Sequence, residues 1–322
     1  MKKFIALTMA VLMMVGLVAC GSADSGSSNP GAAYNIGVCQ LVQHVALDAA
    51  TQGFVDALNA ELGEENINWD IQNAAGDSNT CNTIVNGFVS ANVDLIMANA
   101  TPALQAASVA TGSIPVLGTS VTEYGVALGI DGFDGLVGTN VSGTSDLAPL
   151  DKQAEMVVEW CPDAKTVGLL YCSAEANSQY QVDAVAKLLE AKGLTCTKYP
   201  FTDSNDIQAV CQQAADNSDV LYVPTDNTAA SNAGIIDGIC HGKIPVFAGE
   251  EGLCAGCGVA TLSISYYDLG IATGEMAAKI LKGEANVSEM EIGYAANVTP
   301  KYNAANCEAL GLTIPEGYVA IG

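Results

Sequence analysis

The chain has 322 residues, 50% of them hydrophobic and 14% charged, a composition typical of a globular protein and not of a disordered one. This length exceeds the ~100–200 residues of a single domain and favours two hydrophobic cores. With 35 acidic residues against 11 basic ones, the net charge of −24 repels phosphate backbones and excludes nucleic acid as a partner.

Residues 1–20 predict the signal peptide of a bacterial lipoprotein. A basic start precedes an uncharged apolar run, residues 4–19, which is shorter than the ~20 residues that a spanning helix needs. The run ends at Cys20 in a Leu-Val-Ala-Cys sequence that resembles a lipobox, so we expect cleavage before Cys20 and lipidation of its thiol. A plain secretory signal with a chance cysteine is the alternative. The Gly- and Ser-rich residues 21–33 predict a flexible tether, so we expect a lipid-anchored protein at the extracytoplasmic face of the cell membrane.

The first half of the remaining chain alternates apolar, β-branched runs with segments whose apolar residues recur at helical spacing. Thr101 followed by Pro102 predicts a helix start with Thr101 as the N-cap. The predicted strands are 35–40, 69–72, 94–98 and 114–118, and the predicted helices are 46–60, one beginning after Asp77 or Ser78, and one beginning at Thr101.

The second half repeats this order. Ile36-Gly37-Val38 corresponds to Val167-Gly168-Leu169, and Ile114-Pro115-Val116 corresponds to Ile244-Pro245-Val246. Two similar halves of alternating strands and helices predict an α/β protein with two doubly wound parallel-sheet lobes, a hinge and a cleft between the lobes. The elements predicted in the second half are strands 167–172, 194–199, 219–223 and 244–248 and helices 178–191, 205–215 and 228–240.

Ligands of doubly wound sheets bind beyond the carboxyl ends of the strands. At these loops the chain resembles the tryptophan/tyrosine-type substrate-binding lipoproteins of bacterial ABC importers. The resemblance extends through the whole mature chain, and it is specific as a set although each motif alone is weak. The residues that carry it are Ile36 to Gln40, His44, Ala46 to Asp48, Asn99 to Ala103, Asn140 to Asp146, Ser173 to Ser178, Val223 to Asn227, Gly249 to Gly252, Tyr266 to Gly270, Thr273 and Gly274.

This resemblance implies the type I periplasmic-binding-protein fold. It implies that a small amino-acid-like ligand, with an aromatic amino acid favoured, is captured between the lobes and delivered to an ABC permease and its ATPase. It also implies three chain crossings, near residues 141–147, 263–266 and 295–298. The implied lobes are residues 34–143 with 266–296 for lobe 1 and residues 144–265 with 297–322 for lobe 2.

The chain departs from the family pattern at three places. Gln43 and Ser265 stand where acidic residues are common, and Cys254 to Cys257 occupies a stretch that is usually free of cysteine. These departures bear on the identity of the ligand more than on the class of protein.

An amino-acid ligand presents a carboxylate and an ammonium group. All 11 basic residues are lysines, so no arginine can clamp the carboxylate, and N–H groups at helix starts together with hydroxyls should bind it. The ammonium group needs an acidic partner such as Asp146, Asp226 or Glu250, although the first two are alternatively ordinary helix N-caps. The candidate ligand-binding residues are Gln40, Gln43, His44, Thr101, Thr144, Ser145, Asp146, Ser173, Glu175, Asn177, Thr225, Asp226, Asn227 and Glu250.

Other functions remain open at this point. A sugar or nucleoside ligand in the same fold is one alternative, and a lipid-anchored solute sensor is another. The sequence contains no G-x-S-x-G elbow, HExxH motif or P-loop, so we expect no enzymatic activity and no cofactor.

The chain contains 11 cysteines, and those beyond Cys20 form an even number, which permits disulfides in a secreted protein. Cys254 and Cys257 form a CxxC pair, but no second CxxC or histidine pair completes a zinc site, so we expect a structural bridge or inert thiols and no metal. Cys211 and Cys240 are predicted near the ends of successive helices and could pair. The sequence leaves the connectivity open.

Overall fold

A computed structural model describes residues 31–295 and 297–322. The predicted signal peptide, the lipidation site Cys20 and all but the last three residues of the predicted tether lie outside these residues. Within the described ranges, no helix combines the length and the apolar character that crossing a membrane requires.

The strands are short and mostly buried. They are β1 (Tyr34–Gln40), β2 (Ile67–Asn73), β3 (Leu95–Asn99), β4 (Val116–Val121), β5 (Val141–Ser145), β6 (Thr166–Cys172), β7 (Thr195–Phe201), β8 (Val220–Val223), β9 (Val246–Ala248), β10 (Ala260–Ser263), β11 (Gly293–Tyr294), β12 (Thr299–Tyr302) and β13 (Val319–Ala320).

Helices connect most of these strands. They are α1 (Val45–Leu62), α2 (Ser78–Ala91), α3 (Thr101–Ala110), α4 (Tyr124–Leu128), α5 (Leu150–Trp160), α6 (Ala176–Ala191), α7 (Ile207–Asp216), α8 (Asn227–Ser231), α9 (Ala233–Cys240), α10 (Glu251–Cys257), α11 (Tyr266–Leu281) and α12 (Ala304–Leu310).

The strands form two sheets with the same internal order. One sheet runs β11-β5-β4-β3-β1-β2, and the other runs β13-β12-β10-β9-β8-β6-β7. When β11, β12 and β13 are left out, the strands of each sheet follow the order fifth, fourth, third, first, second along the chain, and they are parallel. Strand β12 pairs antiparallel with β10. The prediction of two doubly wound α/β sheets is therefore confirmed, and the connections reverse direction between β1 and β3 and between β6 and β8, which defines the switch points.

Both sheets are covered on both faces. In β3, Leu95 and Met97 pack into one hydrophobic cluster, whereas Ile96 and Ala98 pack into another. The same alternation separates the two faces of β8. Successive side chains of a strand point to opposite faces, so the continuous apolar runs of these strands are explained by helices on each side.

The chain returns to the first sheet after β10. Helix α11 packs along α1, where Gly270 lies against the backbone of Ala50 and Gly53 lies against the backbone of Tyr267. The lobe limits at residues 143, 265 and 296 stay a prediction; the strand β5 extends two residues past the first of them, to Ser145.

Several predicted details are wrong. Thr101 is the first helical residue and not the N-cap, because Ala100 occupies that position with φ 89° and no side-chain cap. Asp146 caps no helix, since α5 begins only at Leu150. The helix predicted at 228–240 is divided at Asn232, whose φ of −120° and ψ of 21° are not helical and end α8 before α9 starts. The strand predicted at 114–118 runs instead over β4, from residue 116 to residue 121.

Candidate ligand-binding cleft

The strand-end loops of the two sheets touch each other. Nε2 of His44, which precedes α1, lies 3.2 Å from Oδ1 of Asn227 at the start of α8. Burial lowers the pKa of His44, which favours the neutral ring. This hydrogen bond joins the loop after β1 to the loop after β8, so the two predicted residues lie together on opposite sides of the cleft.

Glu175 holds the start of α8 in place. Its Oε1 accepts hydrogen bonds from the backbone N–H and the hydroxyl of Thr228, both at 2.8 Å. Its Oε2 accepts from the backbone N–H of Asn227 at 3.1 Å and from Nδ2 of the same residue at 2.7 Å. Asn177 donates from Nδ2 to the carbonyl of Thr225 at 3.1 Å. These predicted residues therefore form one hydrogen-bonded group in the second lobe.

Asp226 is the N-cap of α8. Its Oδ1 accepts from the backbone N–H of Ala229 at 2.8 Å, and its Oδ2 accepts from the backbone N–H of Cys172 at 2.6 Å. Burial, helped by the nearby charge of Glu175, raises the pKa of Asp226 to about 7. The geometry thus supports the capping role that the sequence left as an alternative, and a direct contact of Asp226 with ligand stays a prediction.

Asp146 lies where the chain leaves β5. Its Oδ2 accepts a hydrogen bond from the Tyr266 hydroxyl at 2.8 Å. Its Oδ1 is buried and makes no hydrogen bond of good geometry to a described residue. Burial raises the pKa of Asp146, although the hydrogen bond from Tyr266 and the Thr122 side chain, which lies close enough to favour the ionised carboxylate, act to lower it. A buried carboxylate oxygen without a donor is costly, so this atom is where a ligand donor would contribute most.

The two residues before Asp146 are engaged within the first lobe. The Thr144 hydroxyl lies 2.8 Å from that of Thr273 in α11 and 3.2 Å from that of Thr119 in β4. The Ser145 hydroxyl donates to the carbonyl of Thr122 at 2.8 Å. These contacts fix the segment that positions Asp146.

Glu250 caps the start of α10 through the backbone N–H groups of Gly252 and Leu253. Burial raises its pKa to about 7, and the charge of Asp146 adds to the shift. Glu250 and Asp146 are therefore close enough for the charge of one to affect the ionisation of the other.

The cleft therefore contains four buried carboxyl groups without a cation. Asp146, Glu175, Asp226 and Glu250 are each at most 3% exposed. None of them takes part in an ion pair within residues 31–295 and 297–322. Removing a charge from water without a counter-charge costs several kcal/mol. The arrangement consequently favours either a cationic ligand group or the uptake of protons.

The remaining predicted residues lie at the margins of this cluster. Gln40 is the last residue of β1, and its side-chain amide is hydrogen-bonded to Val42, Asp48 and Thr51. Thr101 is buried at the start of α3. Gln43 and Ser173 are exposed, and the Ser173 hydroxyl only donates to a backbone carbonyl of β7.

The structure adds residues that the sequence analysis did not select. Oδ1 of Asn99 and Oγ of Ser120 are buried without a hydrogen-bond partner in the described part of the chain. Ser120 has φ 54°, and Ala100 has φ 89°, although neither is glycine. Strained backbone of this kind clusters at ligand sites. Asn99 and Ala100 belong to a segment that carries the family resemblance, whereas the only sequence signal for Ser120 was its place near the end of β4.

A cavity of about 720 Å³ opens beside this cluster, between α1, α10 and the segments that cross between the lobes. Its wall is mostly apolar and includes Ala46, Ile264, Tyr266 and Leu269. Thr144 and Glu250 are the predicted site residues that border it, whereas Asp146, Asp226 and Thr101 do not. The cavity therefore adjoins the carboxylate cluster on its hinge side.

Comparison with known proteins identifies a family. The model of the ABC transporter substrate binding protein family matches residues 35–320. The chain is similar to a tyrosine-binding protein of Clostridioides difficile (strain R20291), with 35% identity over 298 residues, 88% of this chain and 85% of that protein.

Two solved structures cover 89% of this chain and 99% of their own chains. A Streptococcus pneumonia ABC domain in complex with L-Trp superposes with a TM-score of 0.85 at 30% identity. The ligand-free, open structure of a substrate-binding protein with adhesive properties from Clostridium difficile superposes with a TM-score of 0.68 at 40% identity.

Proposed function

Because the chain belongs to the family of ABC transporter substrate-binding proteins, with the type I periplasmic-binding-protein fold, we propose that it binds an aromatic amino acid, tyrosine or tryptophan, between its lobes. The observation that carries the proposal is the cluster of four buried carboxyl groups without an ion-pair partner among the described residues. Family membership also confirms the prediction that the protein binds a solute and is not an enzyme.

The ammonium group of the ligand supplies what the cluster lacks. It brings a positive charge and three N–H donors. Among the oxygens of these four carboxyl groups, Oδ1 of Asp146 is the one that accepts no hydrogen bond from the described residues, and Glu250 lies close enough to interact electrostatically with Asp146. A neutral sugar or nucleoside would satisfy the oxygen but leave the buried charge uncompensated, so the cluster favours an amino acid over those alternatives.

The carboxylate of the ligand is assigned to the start of α3. This helix has ten residues and no side-chain cap, and because Pro102 has no N–H, the backbone N–H groups of Thr101 and Ala103 are those of its first turn that can bind an anion. Ser120 lies next to it, because the backbone N–H of Ala100 donates to the carbonyl of Thr119 at 3.0 Å. The unpaired Ser120 hydroxyl can donate to the same carboxylate.

The aromatic side chain is assigned to the cavity beside Tyr266 and Leu269. About 720 Å³ lies within the range of ~300–1,000 Å³ that small-molecule sites occupy. Its mostly apolar wall suits an aromatic ring. The relatives support this choice, since one is named for tyrosine and another was solved with L-Trp.

The lobes have the relative arrangement of a ligand-bound form. Sequence identity is higher to the open, ligand-free relative, 40%, than to the L-Trp complex, 30%, yet the TM-scores are 0.68 and 0.85. Sequence divergence would give the reverse order, so the arrangement of the lobes accounts for the difference. The hydrogen bond between His44 and Asn227 across the cleft agrees with closure.

Delivery to a membrane permease and its ATPase completes the proposed transport function. The apolar run, the lipobox-like sequence at Cys20 and the Gly- and Ser-rich residues after it support a lipid anchor at the extracytoplasmic face of the membrane. Radiolabelled palmitate incorporation that is lost in Cys20→Ala would test the anchor. Equal labelling of the variant and the wild type would contradict the anchor.

A thermal-shift panel tests the ligand class. A ligand at 100 times its Kd stabilises the folded protein by ~2.7 kcal/mol, so L-tyrosine or L-tryptophan should raise the melting temperature. Matched analogues separate the two ends of the ligand: 3-(4-hydroxyphenyl)propionate lacks the ammonium group, and tyramine lacks the carboxylate. We expect no shift from the propionate and a reduced shift from tyramine. A shift from glucose, ribose or adenosine but from no amino acid would refute the assignment.

Asp146→Asn tests the ammonium site. Loss of a charged hydrogen bond of ~1.5–3 kcal/mol should weaken tyrosine or tryptophan binding by ~10–100-fold in calorimetry. Asp151→Asn, an exposed carboxylate in α5, is the matched control and should bind as the parent does. Equal affinity in the two variants would remove Asp146 from the site.

A further inference from the structure

Two cysteine side chains of the second lobe are in contact. Sγ of Cys211, in α7, lies 3.8 Å from Sγ of Cys240, the last residue of α9. Both residues are essentially buried, at 0% and 1% exposure. A disulfide needs ~2.05 Å between its sulfur atoms, so the two sulfur atoms would have to move ~1.8 Å closer.

We propose that Cys211 and Cys240 are joined by a disulfide in the mature protein. The proposal rests on the extracytoplasmic location given under the proposed function, because disulfides persist in that compartment. If the two cysteines only filled space as small apolar side chains, their sulfur atoms would have no reason to be in contact between α7 and α9. Cys196 illustrates that simpler case, since its thiol donates to the carbonyl of Ala186 at 3.8 Å.

The bond forms by exchange with a low-molecular-weight disulfide such as oxidised glutathione. The thiolate of one cysteine attacks a glutathione sulfur, which breaks the glutathione disulfide and releases one reduced glutathione. The second cysteine, after losing its proton, attacks the protein sulfur of the mixed disulfide and releases the second glutathione. Two protein thiols are oxidised, and one glutathione disulfide is reduced to two thiols. Because both cysteines are buried in the folded lobe, the exchange takes place before the helices pack.

The bridge would enclose the binding loop of the second lobe. Residues 211 and 240 flank β8 and α8, so the enclosed segment carries Thr225, Asp226 and Asn227. Tying α7 to α9 fixes the two helices on either side of that loop. The bridge would therefore hold in place the binding loop that Glu175 contacts in the second lobe, without contacting the ligand.

Peptide mapping tests the bridge. The full chain is denatured and reduced, refolded in a glutathione redox buffer, and then alkylated with N-ethylmaleimide in denaturant without reductant. After cleavage at aspartate, which occurs between the two cysteines at Asp216, Asp219, Asp226 and Asp237, we expect the peptide that contains Cys211 to be linked to the peptide that contains Cys240, and neither cysteine to be alkylated. Cys211→Ser and Cys240→Ser should each lose this link, and Cys196→Ser should keep it.

Alkylation of both Cys211 and Cys240 in the refolded wild type would overturn the proposal. A link from either of them to another cysteine, such as the neighbouring Cys257, would overturn it as well. The map of the wild type decides the question even where a variant fails to fold. Since no ligand or membrane is present, the outcome is independent of amino-acid binding and of export, and failure of either leaves the test of the bridge intact.

Discussion

Substituting Gly270 by Ala should destabilise the first lobe, although alanine is the better helix former. Helices α1 and α11 meet at this residue. A Cβ added to Gly270 would lie 2.1 Å from the carbonyl oxygen of Ala50 and 2.8 Å from its carbonyl carbon. Both atoms belong to the backbone of α1, so no side chain can rotate away, and the helices must separate.

The expected magnitude follows from two opposing effects. Replacing a helical glycine by alanine favours folding by ~0.5–1 kcal/mol. Overpacking a close contact costs ~1–3 kcal/mol, and contact with backbone places this case at the upper end of that range. The clash outweighs the propensity, so Gly270→Ala should lose about 2 kcal/mol. Gly87→Ala in α2 is the matched control: its added Cβ meets nothing within 4 Å, so it should gain ~0.5–1 kcal/mol.

Urea unfolding of the first lobe measures both variants. The chain has two tryptophans, and Trp69 packs edge-on against Phe54 of α1 at a ring distance of 6.0 Å. In a Trp160→Phe background, Trp69 fluorescence reports this lobe alone. The two variants should shift the unfolding midpoint in opposite directions and differ by about 1 M urea, for a slope of ~3 kcal/mol/M. A Gly270→Ala variant as stable as Gly87→Ala would show that the reasoning about helix contact is mistaken.

Two further predictions concern the buried carboxyl groups. Burial raises the pKa of Glu250 from 4.5 to about 7, so its stabilising contribution is present below pH ~4.5 and is lost as the pH rises through 7. Glu250→Gln should reduce that decline in stability with pH in urea unfolding of the ligand-free protein, by at most ~3 kcal/mol because opening of the lobes returns the carboxylate to water, and an unchanged pH profile would contradict this. Asp226→Ala should cost ~2–4 kcal/mol, since it removes the α8 cap and leaves the buried Cys172 N–H unpaired. Asp77→Ala, which removes one exposed cap bond, should cost only ~1 kcal/mol by thermal unfolding, and equal losses would argue against the buried contact.

The architecture was accessible from the sequence because the signals for it are periodic. Apolar runs such as Leu95 to Asn99 are buried throughout, so each predicts a strand covered on both faces. The repeat of these runs along the chain then predicts two sheets of one order, as the structure has them. This prediction of the strand order rests on a pattern that extends over many residues, so it stays correct when single residues are misassigned.

The errors concern single residues whose conformation depends on tertiary context. Ala100 adopts φ 89° because the surrounding strands and α3 hold it there. Alanine has no preference for a positive φ, so the sequence gives no sign of this conformation. The break at Asn232 lies in the sequence Ser231-Asn232-Ala233-Gly234, whose turn-favouring residues were outweighed by the apolar residues at helical spacing on both sides. Element boundaries and strained positions therefore could not be predicted.

The roles of acidic residues at strand ends were also beyond the sequence. An aspartate that caps a helix and an aspartate that binds a ligand occupy the same place in the chain. Only the contacts separate them: both oxygens of Asp226 accept backbone N–H groups, whereas one oxygen of Asp146 accepts nothing among the described residues. The sequence placed both residues in the cleft, and the geometry directs attention to Asp146.

We expect the same carboxyl groups to couple ligand binding to closure of the lobes. Closing the cleft around Asp146 and Glu250 removes them from water at a cost of several kcal/mol for each charge, whereas the hydrogen bond between His44 and Asn227 returns only ~0.5–1.5 kcal/mol. At pH 8 the open form should therefore dominate without ligand, and an ammonium group that binds only the closed form should reverse this balance. Small-angle scattering should show the radius of gyration decreasing when the amino acid is added. At pH 5 protonation lowers the cost of closure, so the decrease should be smaller, and a change independent of pH would contradict this coupling.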